Sequence, residues 1–188
     1  MVAAARYTRT AMVLHWLVAV LIVVNVLLGL FADDLPDSVV RRAIDTHKSI
    51  GITVLGLALL RLLWRLAHRP PPLPASYARR ERGLAHGAHI ALYALIFALP
   101  ISGWIHDSAY KNAAATPLLL FGVIPWPRLG WIMAMPPAEK AAFHSQWFAI
   151  HVWLGYALYA LVALHVLGAL KHQLFDRDKA LARMLPGI

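Results

Sequence analysis

Four long apolar runs, separated by short polar stretches, constrain this 188-residue chain more than any other feature. They cover Thr10 to Ala32, Gly51 to Leu60 with flanks reaching from His47 to Leu66, Leu84 to Ile105, and Ile150 to Leu170. An α-helix needs about 20 apolar residues to cross the hydrocarbon core, and each run can supply them. A chain that is 60% hydrophobic and 14% charged also lies outside the usual make-up of soluble domains. The expected fold is an all-α membrane protein, a four-transmembrane-helix bundle. It forms one domain over residues 1–188, with spans at approximately 10–32, 47–67, 84–106 and 146–171. The first run follows Arg6 and Arg9, as a secretory signal would, but it passes twenty residues where a signal core has about 7–15, so it is read as a retained span.

The charges orient the bundle. Placing both termini and the middle loop in the cytoplasm puts eleven Lys/Arg inside and six outside, with Arg61 within a span. Both termini are therefore expected to be cytoplasmic, and the net charge of +9 is accounted for by topology and lipid headgroups, with no nucleic-acid motif. The middle loop, HRPPPLPASYARRERG (68–83), reads as a Pro-rich connector followed by a basic cluster. Pro100 in ALPISGW should kink the third helix near its outer end. The long segment 107–149 carries the apolar stretch LLLFGVIPW and is expected to cap the outer surface, with Trp126, Trp131 and Trp147 at interfacial depth.

No cysteine is present, which removes thiolate-held iron–sulfur clusters and covalently attached haem. No Asp or Glu falls within the four expected spans, so the intramembrane carboxylates that usually mark a proton or cation path are missing. Histidine remains, ten times. In HVWLGYALYALVALH, His151 and His165 stand fourteen residues apart. That is roughly 21 Å along a helix and within about 40° of one face. His47 opens the second span at the outer level of His151, and His15 lies in the first span at the inner level of His165. Two axial imidazoles at each of two depths suit two non-covalent b haems, His15 with His165 and His47 with His151. Zinc fits less well, since each level offers two ligands where a structural site wants about four. Gly29, Gly51, Gly56, Gly103 and Gly155 would let backbones approach a flat macrocycle. Arg41, Arg42 and Lys48 outside and Arg9 and Arg82 inside are placed to meet propionates, and Arg61 is open to snorkelling or to propionate pairing. His86, His89 and His172 gather near the inner level as interfacial side chains or as donors to a quinone carbonyl, whereas His68, His106 and His144 read as surface residues.

At these residues the chain resembles the bacterial cytochrome b-561 family over nearly its whole length. The likeness runs through LHW (14–16), IDTHKSIG around His47, GLAHGAHIALY (83–93) followed by ALPISG (98–103), the His151/His165 pair, and HVLGALKHQLFDRDKALARMLP (165–186). The resemblance implies a multi-pass protein of the bacterial inner membrane: a four-helix bundle holding two b haems, with His15 and His165 on the inner iron and His47 and His151 on the outer. Within the family the likeness is strongest to superoxide oxidases, which implies superoxide as a small anionic donor and ubiquinone as acceptor near His172. An outer donor of that charge would be steered by Lys48, Lys111, Arg128 and Lys140. The hydrophobic outer loop, with its own proline pattern, leaves donor recognition open. Two further readings stand beside this one: a cytochrome b anchor for a hydrogenase or formate dehydrogenase, in which a docked partner subunit supplies electrons, and a histidine-lined metal or proton transporter.

Overall fold

The computed structural model describes residues 6–73, 77–178 and 181–185. Residues 74–76 of the Pro-rich connector and 186–188 at the end of the terminal motif lie outside the described residues, as do residues 1–5 and 179–180. Four helices are long and apolar enough to cross a membrane: α1 (Arg9–Leu30), α2 (Asp37–Ala67), α3 (Arg79–Ser108) and, after a two-stranded hairpin and a single-turn α4 (Gly130–Met133), α5 (Pro137–Leu174).

α2, α3 and α5 exceed their expected spans because polar residues extend them past the hydrocarbon, whereas α1 ends at Leu30, two residues before its own. α2 begins at Asp37 rather than near His47, with Asp37 in its first turn, and α5 begins at Pro137, whose fixed φ suits an N-terminal turn. α1 opens on Thr8, whose Oγ1 accepts from the Ala11 amide. α3 continues through Pro100 and two residues beyond its expected end, taking Asp107 into its last turn.

Helices adjacent along the chain pack directly: α1 on α2, α2 on α3, and α3 on α5. The fully buried apolar core is small. Val18 of α1 meets Ile50 and Val54 of α2, while side chains such as Leu164, Leu167, Trp153 and Val20 point outward. Helices apolar on every face, with little of that surface buried against protein, are what a lipid solvent requires.

The outer segment is less irregular than its sequence suggests. Leu119–Leu120 (β1) and Ile124–Pro125 (β2) pair antiparallel, Leu120 opposite Ile124. The turn between them uses Phe121 at φ 52° and Gly122 at φ 74°, the second a conformation that glycine adopts without strain. The hairpin docks on α2 through the Phe121 amide, which donates to Ser49 Oγ at 2.9 Å.

Candidate functional site

Four histidines meet in two pairs, one toward each end of the bundle. His15 (α1) and His165 (α5) have ring centroids 6.3 Å apart with planes at 79°, and His47 (α2) and His151 (α5) lie 6.1 Å apart at 83°. These are the pairs expected from depth alone. Both spacings are too long for ring stacking and too long for a direct hydrogen bond. An imidazole nitrogen sits about 2.0 Å from a bound metal with its ring centroid roughly 1.1 Å behind, so two axial rings on one ion stand roughly 6 Å apart. Each pair thus leaves room for one metal between its rings.

The outer pair is locked from behind. His47 Nδ1 donates to the Asn25 carbonyl at 2.9 Å. His151 Nδ1 reaches the Leu99 carbonyl at 3.1 Å and Ser102 Oγ at 2.9 Å, and the Ser102 hydroxyl gives its own proton to Leu99 at 2.8 Å. A carbonyl can only accept, so Nδ1 carries the proton in both rings and Nε2 is the bare nitrogen, able to ligate. The rings also rest on glycines. A Cβ at Gly29 would stand 2.9 Å from His47 Cε1, and one at Gly103 would stand 3.2 Å from His151 Cε1. Ser102 and Asn25 were absent from the sequence reading. A hydroxyl two residues past the helical Pro100 was the available signal for Ser102, whereas Asn25 acts through its backbone carbonyl, which no side chain marks.

At the inner pair, His15 Nδ1 is buried and finds no protein partner among the described residues. A buried nitrogen left bare costs free energy unless something outside the protein meets the ring. His89 lies beside this pair, its ring 5.5 Å from that of His165. His86 is exposed, with Nδ1 donating to the Arg82 carbonyl at 2.7 Å. His172 is stacked 4.0 Å from Tyr77 and donates through Nδ1 to Asp176 at 2.6 Å. Lys171 bridges Asp176 at 2.8 Å and Glu81 at 2.6 Å, and these contacts hold the Asp176 carboxyl below its ordinary range. Burial beside Asp178 pushes the Tyr77 phenol up to about 12, so it stays neutral and a donor.

Two expectations at the outer end are corrected. Arg128 is no free steering charge. Its side chain is 7% exposed, it pairs with Asp107 at 2.8 Å, and it donates to the carbonyls of Ala113 and Thr116, which fastens the outer segment to α3. Lys48 also reaches Asp107, at 2.8 Å, but keeps 29% exposure, and Lys140 donates to the Met133 carbonyl while Lys111 is exposed. His106 and His144 are half-buried rather than free at the surface. Their rings stack 3.9 Å apart and each Nδ1 donates to the other's backbone carbonyl at 3.0 Å, clasping α3 to α5. Arg41, Lys48, Asp107 and this histidine pair line an open cleft of about 390 Å³ at the His47 end of the bundle.

The donor set agrees with b-type haem: paired neutral imidazoles, with protein acceptors for Nδ1 at the outer pair and glycines at van der Waals limits. Comparison with known proteins points the same way. The family model described as prokaryotic cytochrome b561 matches residues 6–187. The chain is similar to cytochrome b561 homolog 2 of Escherichia coli (strain K12), 36% identical over 183 residues that cover 96% of this chain and 91% of that protein. It is also similar to the probable superoxide oxidase CybB of Yersinia pestis, 32% identical over 186 residues covering 96% of each. The chain belongs to the prokaryotic cytochrome b561 family, and it is a multi-pass protein of the inner membrane that carries electrons across it on b-type haem.

Proposed function

We propose that this protein takes electrons from superoxide at its outer face and delivers them through two b haems to ubiquinone near its inner face, with both termini cytoplasmic. The carrying observation is the pair of histidine couples, 6.1 and 6.3 Å between centroids, at two levels of α5 fourteen residues apart. His47 and His151 would hold the outer haem, and His15 and His165 the inner one. Haem held by two imidazoles supplies reversible one-electron chemistry with no open coordination position, which favours electron transfer over oxygen binding.

The chain's own residues then fix geometry, charge and access. Asn25, Leu99 and Ser102 hold the outer rings in one tautomer, which sets ligand basicity and with it the potential. Lys48, with Arg41 at the rim of the outer cleft, attracts an anionic donor. Two superoxide ions each give up one electron and leave as dioxygen, and ubiquinone gains two electrons and two protons to become quinol. His172, whose Nδ1 meets Asp176, would donate to a quinone carbonyl through a proton carried on Nε2, and His89 stands 5.5 Å from His165 of the inner pair. The likeness to a probable superoxide oxidase supports the choice of donor.

The test is an assay of purified protein with superoxide and a soluble ubiquinone analogue, followed as haem reduction and quinol formation. Haem reduction by superoxide followed by quinol formation is the expected result. A protein that stays oxidised under superoxide but is reduced by a docked dehydrogenase would overturn the donor and favour the anchor-subunit reading. A pigment-free preparation would overturn the haem reading altogether.

A further inference from the structure

The hairpin between α3 and α5 points inward, along the bundle. Its first strand leaves Thr116, Pro117 and Leu118, which line the cleft at the His47 end with Arg41, Asp45 and Lys48 of α2, and the turn after it comes to rest on Ser49. α2 runs from Asp37 into the bundle, so the chain descends along it. The second strand climbs back along α3. The Pro127 carbonyl accepts from Trp104 Nε1 at 2.8 Å, Arg128 pairs with Asp107 at 2.8 Å, and the Leu129 amide donates to Ser108 Oγ at 3.1 Å, at the end of that helix. The innermost point is the turn at 121–123, level with Ser49, two residues or about 3 Å deeper than His47. Beyond Lys48, α2 carries no charge until Arg61. Two residues are also about 200° around a helix, so Ser49 and the hairpin on it stand on the face of α2 turned away from the His47–His151 pair.

What the hairpin exposes at that depth is apolar. Leu118 and Leu120 are buried, whereas Phe121, Val123 and Ile124 are 58%, 77% and 57% exposed, and no charged side chain occurs between Lys111 and Arg128. Its backbone is also closed on itself. The Phe121 amide goes to Ser49, that of Gly122 to the Leu119 carbonyl, that of Val123 to Leu120 and that of Trp126 to Leu118, while Leu120 and Ile124 pair in the ladder and Pro125 and Pro127 have no amide to place. Water would solvate an open turn, but hydrocarbon tolerates only backbone that is paired within the protein. An exposed apolar patch marks a protein partner or a membrane, and the depth of this one selects the membrane. We propose that the hairpin turn is embedded in the leaflet at the His47 end, with Phe121, Val123 and Ile124 against lipid acyl chains, so that the bilayer helps to hold the Thr116–Leu118 wall of the neighbouring cleft.

The chain has no cysteine, so a single introduced thiol reports on one place. The test uses the haem-loaded full chain in phosphatidylcholine nanodiscs and a charged, membrane-impermeant methanethiosulfonate, with each rate taken relative to the same thiol in the denatured chain. A thiolate forms poorly out of water, so Val123→Cys should react at least about tenfold more slowly than Asn112→Cys, which is exposed earlier in the same segment. Protein cover cannot account for such a delay, because Val123 is 77% exposed. Independently, phosphatidylcholine with a diazirine on its acyl chain should label residues 121–124 of the wild type on illumination, as it labels the outward-facing Leu167 of α5. Equal rates for the two thiols would put the patch in water and overturn the proposal in favour of a docked protein. Lipid label on Leu167 with none on the hairpin would overturn it as well.

Discussion

His151 of α5 and Ser102 of α3 share a hydrogen bond of 2.9 Å, and the same serine hydroxyl donates to the Leu99 carbonyl that His151 also reaches. One buried side chain therefore both positions a ring and fixes which of its nitrogens is bare. Ser102→Ala removes one of two acceptors for Nδ1. The fold should lose about 1 kcal/mol, and the outer haem should bind more weakly and shift its midpoint while the inner haem keeps its own. Potentiometric titration of the α-band resolves the two.

Glycine 29 offers a sharper steric test. A methyl group there would meet His47 Cε1 at 2.9 Å, whereas one at Gly56 meets nothing within 4 Å. Elsewhere in a helix Gly→Ala favours folding by roughly 0.5–1 kcal/mol. Gly56→Ala should follow that rule. Gly29→Ala should lose the outer haem or broaden its spectrum, and haem-to-protein ratios on the two variants read the difference.

Ligand removal should be local. With the pairs fourteen residues, about 21 Å, apart along α5, His165→Ala should cut the pyridine haemochrome yield to roughly half and leave an outer-type spectrum, since sites this far apart act independently. His47→Ala should leave the complementary inner-type spectrum. Loss of all haem from either variant would count against two separate centres.

Charge at the outer cleft divides into two kinds. Lys48 is partly exposed, so Lys48→Gln should slow reduction by superoxide several-fold at low salt, and the difference should fade near 0.1 M, where the screening length is about 10 Å. Arg128 is buried against Asp107 and two carbonyls. Arg128→Gln should lower Tm and loosen the segment outside α3, with little change in salt dependence. A stopped-flow ionic-strength series and a melting curve distinguish these roles.

At the inner end the Lys171 ammonium, aided by His172, holds the Asp176 carboxyl below its ordinary range. A depressed acid stabilises its contact above the ordinary carboxylate pKa and loses it as the pH falls through the lowered value. The His172–Asp176 contact should therefore persist through neutral and mildly acidic pH and break only in stronger acid. Carboxyl carbon shifts of labelled Asp176 against pH check this, and Lys171→Gln should move the midpoint upward.

The sequence by itself determined the four helices, the two depths and which histidine faces which. Lipid demands long apolar helices, and a fixed rise per residue turns the spacing of His151 and His165 into a distance. It also marked the family through motifs spread over nearly the whole chain. Only the tertiary structure decided what stands behind each ring and which charges are free. Asn25, Leu99 and Ser102 became the acceptors for His47 and His151, Arg128 was drawn inward to Asp107, and His106 and His144 closed on each other's carbonyls. Each of these contacts joins helices, or a helix and a loop, far apart in the chain, and each depends on rotation about a helix axis and on angstrom-scale approach. Periodicity fixes neither, because helices apolar on every face leave their mutual rotation to packing.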